Sequence, residues 1–145
     1  MENIVLRVNG IKYPGKPEEE VMEFVTEGKM YEKGGSIFII YEETELSGLE
    51  GSVTTLKLKE DKVSLIRFGE DKKLSSRMEF EEGKPYSGYY STPIGVLEFK
   101  IDTIRVRNEV TMKDGGYLGI DYNMNLVGLS DGRNILSMKV MKRGN

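Results

Sequence analysis

The sequence predicts an all-β domain, an antiparallel meander of eight to ten strands closed into a barrel. Three observations carry that expectation. The chain has 17 Gly and no Ala, with Val, Ile, Tyr and Phe frequent, which moves the prior from helix to strand. Apolar and polar residues alternate with a period of two in one stretch after another. Short connections carrying Gly, Asp, Asn or Pro join these stretches, and connections this short leave neighbouring strands antiparallel. At 145 residues the chain is a single domain, 1–145, long enough to bury roughly two-thirds of its unfolded surface without a metal or disulfide staple.

Strands are expected at about 3–9, 20–32, 36–45, 51–59, 62–68, 76–81, 85–92, 95–112, 117–129 and 133–142. In the second, Met22, Phe24, Thr26, Gly28 and Met30 share a phase opposed to Glu23, Glu27 and Lys29. In the third, Ile37, Ile39, Tyr41 and Glu43 take the inner phase, which leaves Phe38 and Ile40 outside. A two-residue loop at Glu60-Asp61 sets Leu58 opposite Val63, Leu56 opposite Leu65 and Thr54 opposite Arg67, so apolar faces apolar. A three-residue loop at Ser130-Asp131-Gly132 pairs Leu126 with Leu136, Met124 with Met138, and Tyr122 with Val140. One at Asp114-Gly115-Gly116 matches Met112 to Leu118, Val110 to Ile120, Val106 to Met124 and Ile104 to Leu126. Leu97, Phe99 and Ile101 are odd-numbered, whereas Ile104, Val106 and Val110 are even-numbered, so a bulge is expected near Asp102-Thr103. Bulges bend strands where a sheet curls, and closure removes exposed edges. A two-sheet β-sandwich is the alternative architecture.

Composition excludes much chemistry. Without Cys there are no thiol nucleophiles, disulfides, iron–sulfur clusters or thiolate zinc sites; without His the commonest general base and transition-metal ligand are gone. No segment has the spacing of a Ca²⁺ loop or a phosphate-binding glycine loop. The residues therefore read as a non-enzyme, with no catalytic residue, metal or cofactor implied. A net charge of −3 with Lys and Glu interspersed argues against nucleic acid. The first residues lack the basic start and apolar run of a secretory signal, and no stretch approaches a membrane span, so a cytoplasmic protein is expected.

Candidate sites follow from strand phase. Arg67 shares the inward phase of Val63 and Leu65, Glu43 that of Tyr41, and Thr54 faces Arg67. One reading makes Arg67 a polar anchor for a ligand inside the barrel. The favoured one lets it snorkel out at the rim. Tyr89 and Thr92, with Tyr86 and Tyr90, crowd a short strand before Pro93; they either ring the barrel mouth or, as favoured, pack with wet hydroxyls. Neighbouring carboxylates at Glu42-Glu43 and Glu81-Glu82 point to opposite faces, so neither pair is a catalytic dyad. Asp121 and Asn123 lie on the outer phase, where they meet water. Any interior pocket should open at the Arg67 end and approach or fall short of roughly 300 Å³. Outside, Phe38, Ile40, Val25 and Tyr31 form an apolar patch of the kind a second subunit or a terminal segment covers.

Several stretches resemble a bacterial family of unknown function, the YwiB-like (DUF1934-type) proteins. They are Tyr41-Glu42-Glu43-Thr44, Val63 to Gly69, Met78 to Gly83, Gly88-Tyr89-Tyr90-Ser91-Thr92-Pro93-Ile94-Gly95 and Tyr122 to Leu126. The Y-x-T-P-x-G run from Tyr90 is the distinctive part. The resemblance implies a calycin-like, lipocalin-like barrel in the bacterial cytosol and brings no site residues. Two functions remain open. In one the barrel binds a small amphiphilic or apolar ligand through Arg67, Thr54, Glu43, Tyr41, Tyr89 and Thr92. In the other the interior is filled and the outer face (Phe38, Ile40, Val25, Tyr31) serves protein–protein assembly, with a homodimer as one form.

Overall fold

The computed structural model describes residues 1–43, 51–69, 76–92 and 95–143. Ten strands run in chain order: β1 (Glu2–Lys12), β2 (Glu20–Lys33), β3 (Ser36–Glu42), β4 (Val53–Lys59), β5 (Lys62–Phe68), β6 (Ser76–Glu81), β7 (Pro85–Thr92), β8 (Gly95–Asn108), β9 (Gly116–Leu126) and β10 (Ser130–Lys142). They form one antiparallel sheet in the order β6-β5-β4-β3-β2-β1-β10-β9-β8-β7. The first and last strands therefore pair inside the sheet, with Leu6 opposite Val140 and Val8 opposite Met138. The sheet's two ends are β6 and β7, which follow one another in the chain and meet at a Glu81–Lys84 bridge. The result is a nearly closed barrel.

Each strand buries one phase. Ile4, Leu6 and Val8 of β1, Phe24 and Met30 of β2, Leu56 and Leu58 of β4, and Phe99 and Ile101 of β8 are all buried in one contiguous core. At about 1.5–3 kcal/mol for each fully buried Leu, Ile or Phe, this interior is the main favourable term. The Glu60-Asp61 hairpin has the expected register, Leu58 to Val63, Leu56 to Leu65 and Thr54 to Arg67. Between β2 and β3, Gly34 and Gly35 both take positive φ, as a primed two-residue hairpin requires.

Two turns differ from expectation. The last hairpin turns at Val127-Gly128-Leu129, with Leu126 opposite Ser130 and Gly128 at a φ of 83°. Leu136 consequently faces Ile120 rather than Leu126, Met138 faces Leu118, and Val140 faces Gly116. Both registers put the same faces together, so the apolar pattern does not distinguish them. Packing does: a Cβ on Gly132 would lie 2.3 Å from the Tyr13 ring, so that glycine serves a close approach and not a turn. The β8–β9 connection turns around Met112-Lys113-Asp114, where Thr111 bridges Gly115, and Val106 faces Ile120 rather than Met124. The expected bulge exists one residue later than placed. The register shifts between Thr103 and Arg105, and Ile104 points outward at 49% exposure instead of inward.

The bulge also marks where closure begins. β7 pairs with β8 only as far as Asp102. Beyond it, the free edge of β8 is met by other groups. The Gly83 amide donates to the Thr103 carbonyl at 3.2 Å, the Val106 amide donates to Glu82 Oε1 at 2.9 Å, and Asn108 Nδ2 donates to the Glu60 carbonyl at 2.9 Å. These bonds blunt an edge that a closed ladder would otherwise satisfy.

Candidate functional site

Strand register assembles a polar row across four neighbouring strands. Tyr41 pairs with Thr54, Thr54 with Arg67, and Arg67 with Ser76, all on the inner phase. Glu43 lies just past the end of β3, where its amide donates to the Ser52 carbonyl and holds its carboxylate over Thr54. Thr54 Oγ1 donates to Glu43 Oε1 at 2.6 Å; Arg67 Nε donates to Thr54 Oγ1 at 3.3 Å and Arg67 Nη2 to Glu43 Oε1 at 3.5 Å. The side chains are 2% exposed for Glu43 and 18% for Arg67. Arg67 therefore does not snorkel out at the rim. A buried carboxylate on the same inner face draws it inward, since an uncompensated charge there costs several kcal/mol.

Arg67 lines a cavity of about 470 Å³, larger than the sequence led one to expect. Leu65, Met78 and Phe80 form one wall, Tyr122 and Leu136 another, and Gly10 and Met22 a third. Gly10 and Met22 face each other in register, so the glycine leaves space where a side chain would meet Met22. Tyr122 packs against Phe80 with ring centroids 4.8 Å apart. Two of the five Arg67 N–H donors are used by Thr54 and Glu43; among the described residues the other three have no protein acceptor. Lys12, Glu20 and Asn134 also belong to the lining, so the site is a chamber of mixed apolar and polar walls in which Arg67 keeps unused hydrogen-bonding capacity.

Burial pushes the Tyr41 phenol well above its ordinary range, and the adjacent Glu43 carboxylate pushes the same way, against the Arg67 charge. Burial likewise raises Tyr122, again opposed by Arg67. A group whose folded pKa lies above its unfolded value contributes stability that is present below the unfolded pKa, near 10, and is lost as pH rises through the folded one. Stability should therefore fall above about pH 10, and the phenolate absorbance of these two residues should emerge together with unfolding. Tyr41→Phe and Tyr122→Phe together should abolish that late component; its appearance while the fold is intact would contradict the burial.

Other candidates stand apart from this row. Tyr89 lies opposite Glu98 on the outer phase and is 70% exposed, so it cannot contact a ligand held by Arg67. The backbone of Thr92 pairs with Gly95, and its side chain lies outside the described residues, as do positions 44 and 45 of the strand expected at 36–45. Asp121 does not merely meet water: Arg133 Nε and Nη2 donate to its two carboxylate oxygens at 2.8 and 2.5 Å. On the outer face, Tyr31 and Phe38 stack with centroids 5.0 Å apart, with Lys57 6.0 Å from the Phe38 ring centroid. Phe38 and Ile40 are half-buried by these neighbours, while Val25 is 55% exposed. Ser76, Tyr122 and the Gly10–Met22 wall escaped the sequence reading as site residues. Tyr122 was legible as inward, but its place opposite Arg67 depends on curvature.

Among the described residues, no group of three or more Asp or Glu side chains is arranged to hold a metal ion. Among the described residues, no helix is long and apolar enough to cross a membrane, which says nothing of strands. No curated protein matches the chain. Its fold is similar to the crystal structure of the ywiB protein from Bacillus subtilis, with a TM-score of 0.83 and 24% sequence identity over 99% of this chain and 93% of that one. The family model described as "Domain of unknown function (DUF1934)" matches residues 7–138. With that match running through β2 to β9 in full and through part of β1 and β10, the chain belongs to the DUF1934 family.

Proposed function

We propose that this protein binds a small amphiphilic molecule inside the barrel, its acidic or strongly hydrogen-bonding head on Arg67 and its apolar part against Leu65, Met78, Phe80 and Tyr122. The observation carrying this reading is Arg67, partly exposed and with unused donors, in the lining of a cavity of about 470 Å³ whose walls are largely apolar but also carry Lys12, Glu20 and Asn134. Cavities of roughly 300–1,000 Å³ with a few convergent polar groups are the usual size and make-up of ligand sites. Glu43 already offsets the Arg67 charge, so the anchor acts through short-range hydrogen bonds more than through long-range attraction. A cytosolic setting and the absence of catalysis belong to the same proposal, given a chain with no His or Cys.

Calorimetric titration with dodecanoate and dodecanol, alongside a hydrophobic dye, tests it. Dodecanoate should bind saturably at one site and more tightly than the alcohol. Arg67→Met should weaken it by the roughly 1.5–3 kcal/mol of a charged hydrogen bond, about 10- to 150-fold. Arg67→Lys, which keeps the charge and the fold, should show an intermediate loss. No saturable binding of acid, alcohol or dye would end the proposal.

A second reading has a specific observation behind it. An open groove of about 800 Å³ crosses the outer face between Val25, Lys29, Ile40 and Val53, beside the Tyr31–Phe38 stack. An assembly role, such as a homodimer, would use this face. Sedimentation equilibrium at micromolar concentration, with Phe38 and Ile40 both changed to Thr, discriminates: a dimer lost in the variant favours assembly, and a monomer throughout removes it.

A further inference from the structure

The two ends of the sheet run beside each other without completing the barrel. Among the described residues, only the Glu81–Lys84 bridge joins β6 to β7, and it lies at their connecting turn. The direction of each strand's backbone groups follows from its ladder. On β6 the Glu81 carbonyl accepts from the Lys84 amide, so it faces β7, and alternation sends the amides and carbonyls of Glu79 and Arg77 the same way. On β8 the Glu98 carbonyl accepts from Val127 on the β9 side and the Thr103 carbonyl from Gly83 on the other, which fixes the residues of β8 that bond to β7 as odd-numbered. Their partners on β7 are even-numbered, so the amides and carbonyls of Ser87 and Tyr89 point into the seam.

Two further features mark this seam. A cleft of about 280 Å³ opens in it between Ser76 and Arg77 on one side and Tyr86, Gly88 and Tyr89 on the other, with Ile66 and Phe68 of β5 also in its lining. That volume suits one or two apolar side chains. Ser76 borders the cleft, and its hydroxyl, on the inner phase, is buried with no hydrogen-bond partner, as buried hydroxyls seldom are. Edge strands are ordinarily protected by charge, and β7 carries none: residues 86–92 read Tyr-Ser-Gly-Tyr-Tyr-Ser-Thr. Only its first residue, Pro85, discourages pairing.

We propose that the β6–β7 seam accepts an extended, uncharged peptide segment from a partner protein, which adds as a strand antiparallel to β7 and places an apolar side chain in the Ile66–Phe68–Tyr86 cleft. Backbone groups displayed in a row on an open edge are complementary to another strand and to little else. Antiparallel pairing with β7 is the choice because β7 is the longer and uncharged edge and because antiparallel ladders are slightly more stable per residue. The same strand then lies parallel to β6, facing the seam-directed amides and carbonyls of Arg77 and Glu79. This site is separate from the cavity under Arg67 and does not depend on it.

The probe is the capped, uncharged heptapeptide Thr-Val-Thr-Val-Thr-Val-Thr, added to ¹⁵N-labelled full-length protein while amide exchange is followed. Saturable binding should slow exchange at the Ser87 and Tyr89 amides by at least tenfold. The same peptide N-methylated at alternate positions along its β7-facing edge should not bind. Ser87→Pro removes a seam-facing amide while sparing the β8 ladder, as edge prolines do, and should weaken binding at least tenfold with the melting temperature little changed. Should that variant unfold, Tyr89→Lys, which adds an edge charge, replaces it with the same expectation. Slow exchange at Ser87 and Tyr89 before any peptide is added, no slowing at saturation, or peptide-induced shifts confined to the Phe38–Ile40 face would each overturn the proposal.

Discussion

Replacing Arg67 with Met is expected to lower the unfolding free energy by about 3 kcal/mol, a fall of roughly 10 °C in melting temperature for a chain of this size. The cost arises chiefly at Glu43, whose side chain is only 2% exposed and loses its ion-pair partner, leaving neutral hydroxyl neighbours such as Thr54 and Tyr41. Glu43→Leu should cost less, about 1–2 kcal/mol, because the guanidinium it abandons is 18% exposed and can reach cavity water. The double variant should then be less damaged than the sum of the singles by at least about 1 kcal/mol, since it leaves no buried charge unpaired. Urea denaturation of all four proteins measures this coupling. Strict additivity would mean that the 3.5 Å contact between the two groups contributes nothing.

The turn between β8 and β9 should be equally intolerant of change. Gly115 has a φ of 71°, and a Cβ there would lie 2.3 Å from the Val140 carbonyl oxygen. Gly116 has a φ of 138°, and its Cβ would lie 2.1 Å from the Glu109 carbonyl oxygen. Both obstacles are backbone, Val140 in the β10 ladder and Glu109 tied by its amide to the Tyr117 carbonyl, so neither can turn aside as a side chain would. An alanine at either position combines a disfavoured left-handed conformation with overpacking, together about 3–5 kcal/mol. By contrast, Gly15→Ala, at a φ of 77° in open space, should show only the conformational part, about 1–2 kcal/mol. Equal losses at Gly15 and Gly116 in a denaturant series would show that the close approach to Glu109 is relieved by movement.

The hairpin of β4 and β5 was legible in full, since a period of two on both arms and a two-residue loop leave a single register that pairs apolar with apolar. From it followed the Thr54–Arg67 facing, and with it the centre of the candidate site. The turn at Val127-Gly128-Leu129 was not legible, because Gly128 and Gly132 sit four residues apart and either one preserves the facing of apolar phases. What separates them is the Tyr13 ring on Gly132, a contact from the far end of β1. Similarly, Arg67 and Glu43 were each readable as inward, but their meeting depends on the path between β3 and β4. Tyr89 misled because β7 carries tyrosine on both phases, and composition then says nothing about which phase faces in. The cavity exceeded expectation for a related reason. Its walls come from β1, β2, β5, β6, β9 and β10 together, and no single hairpin reports the space between them.

The most direct test of the proposed ligand site observes Arg67 itself. Nitrogen-15 spectra of the guanidinium Nε–H, recorded as dodecanoate is added to the intact protein, report whether a carboxylate reaches the unused donors. The account predicts a saturable downfield shift of the Arg67 Nε–H signal, accompanied by shifts at Tyr122 and Met78 and absent with dodecanol. An unmoved Arg67 signal under saturating dodecanoate, with perturbations instead at Val25, Phe38 and Ile40, would contradict it and transfer the function to the outer face.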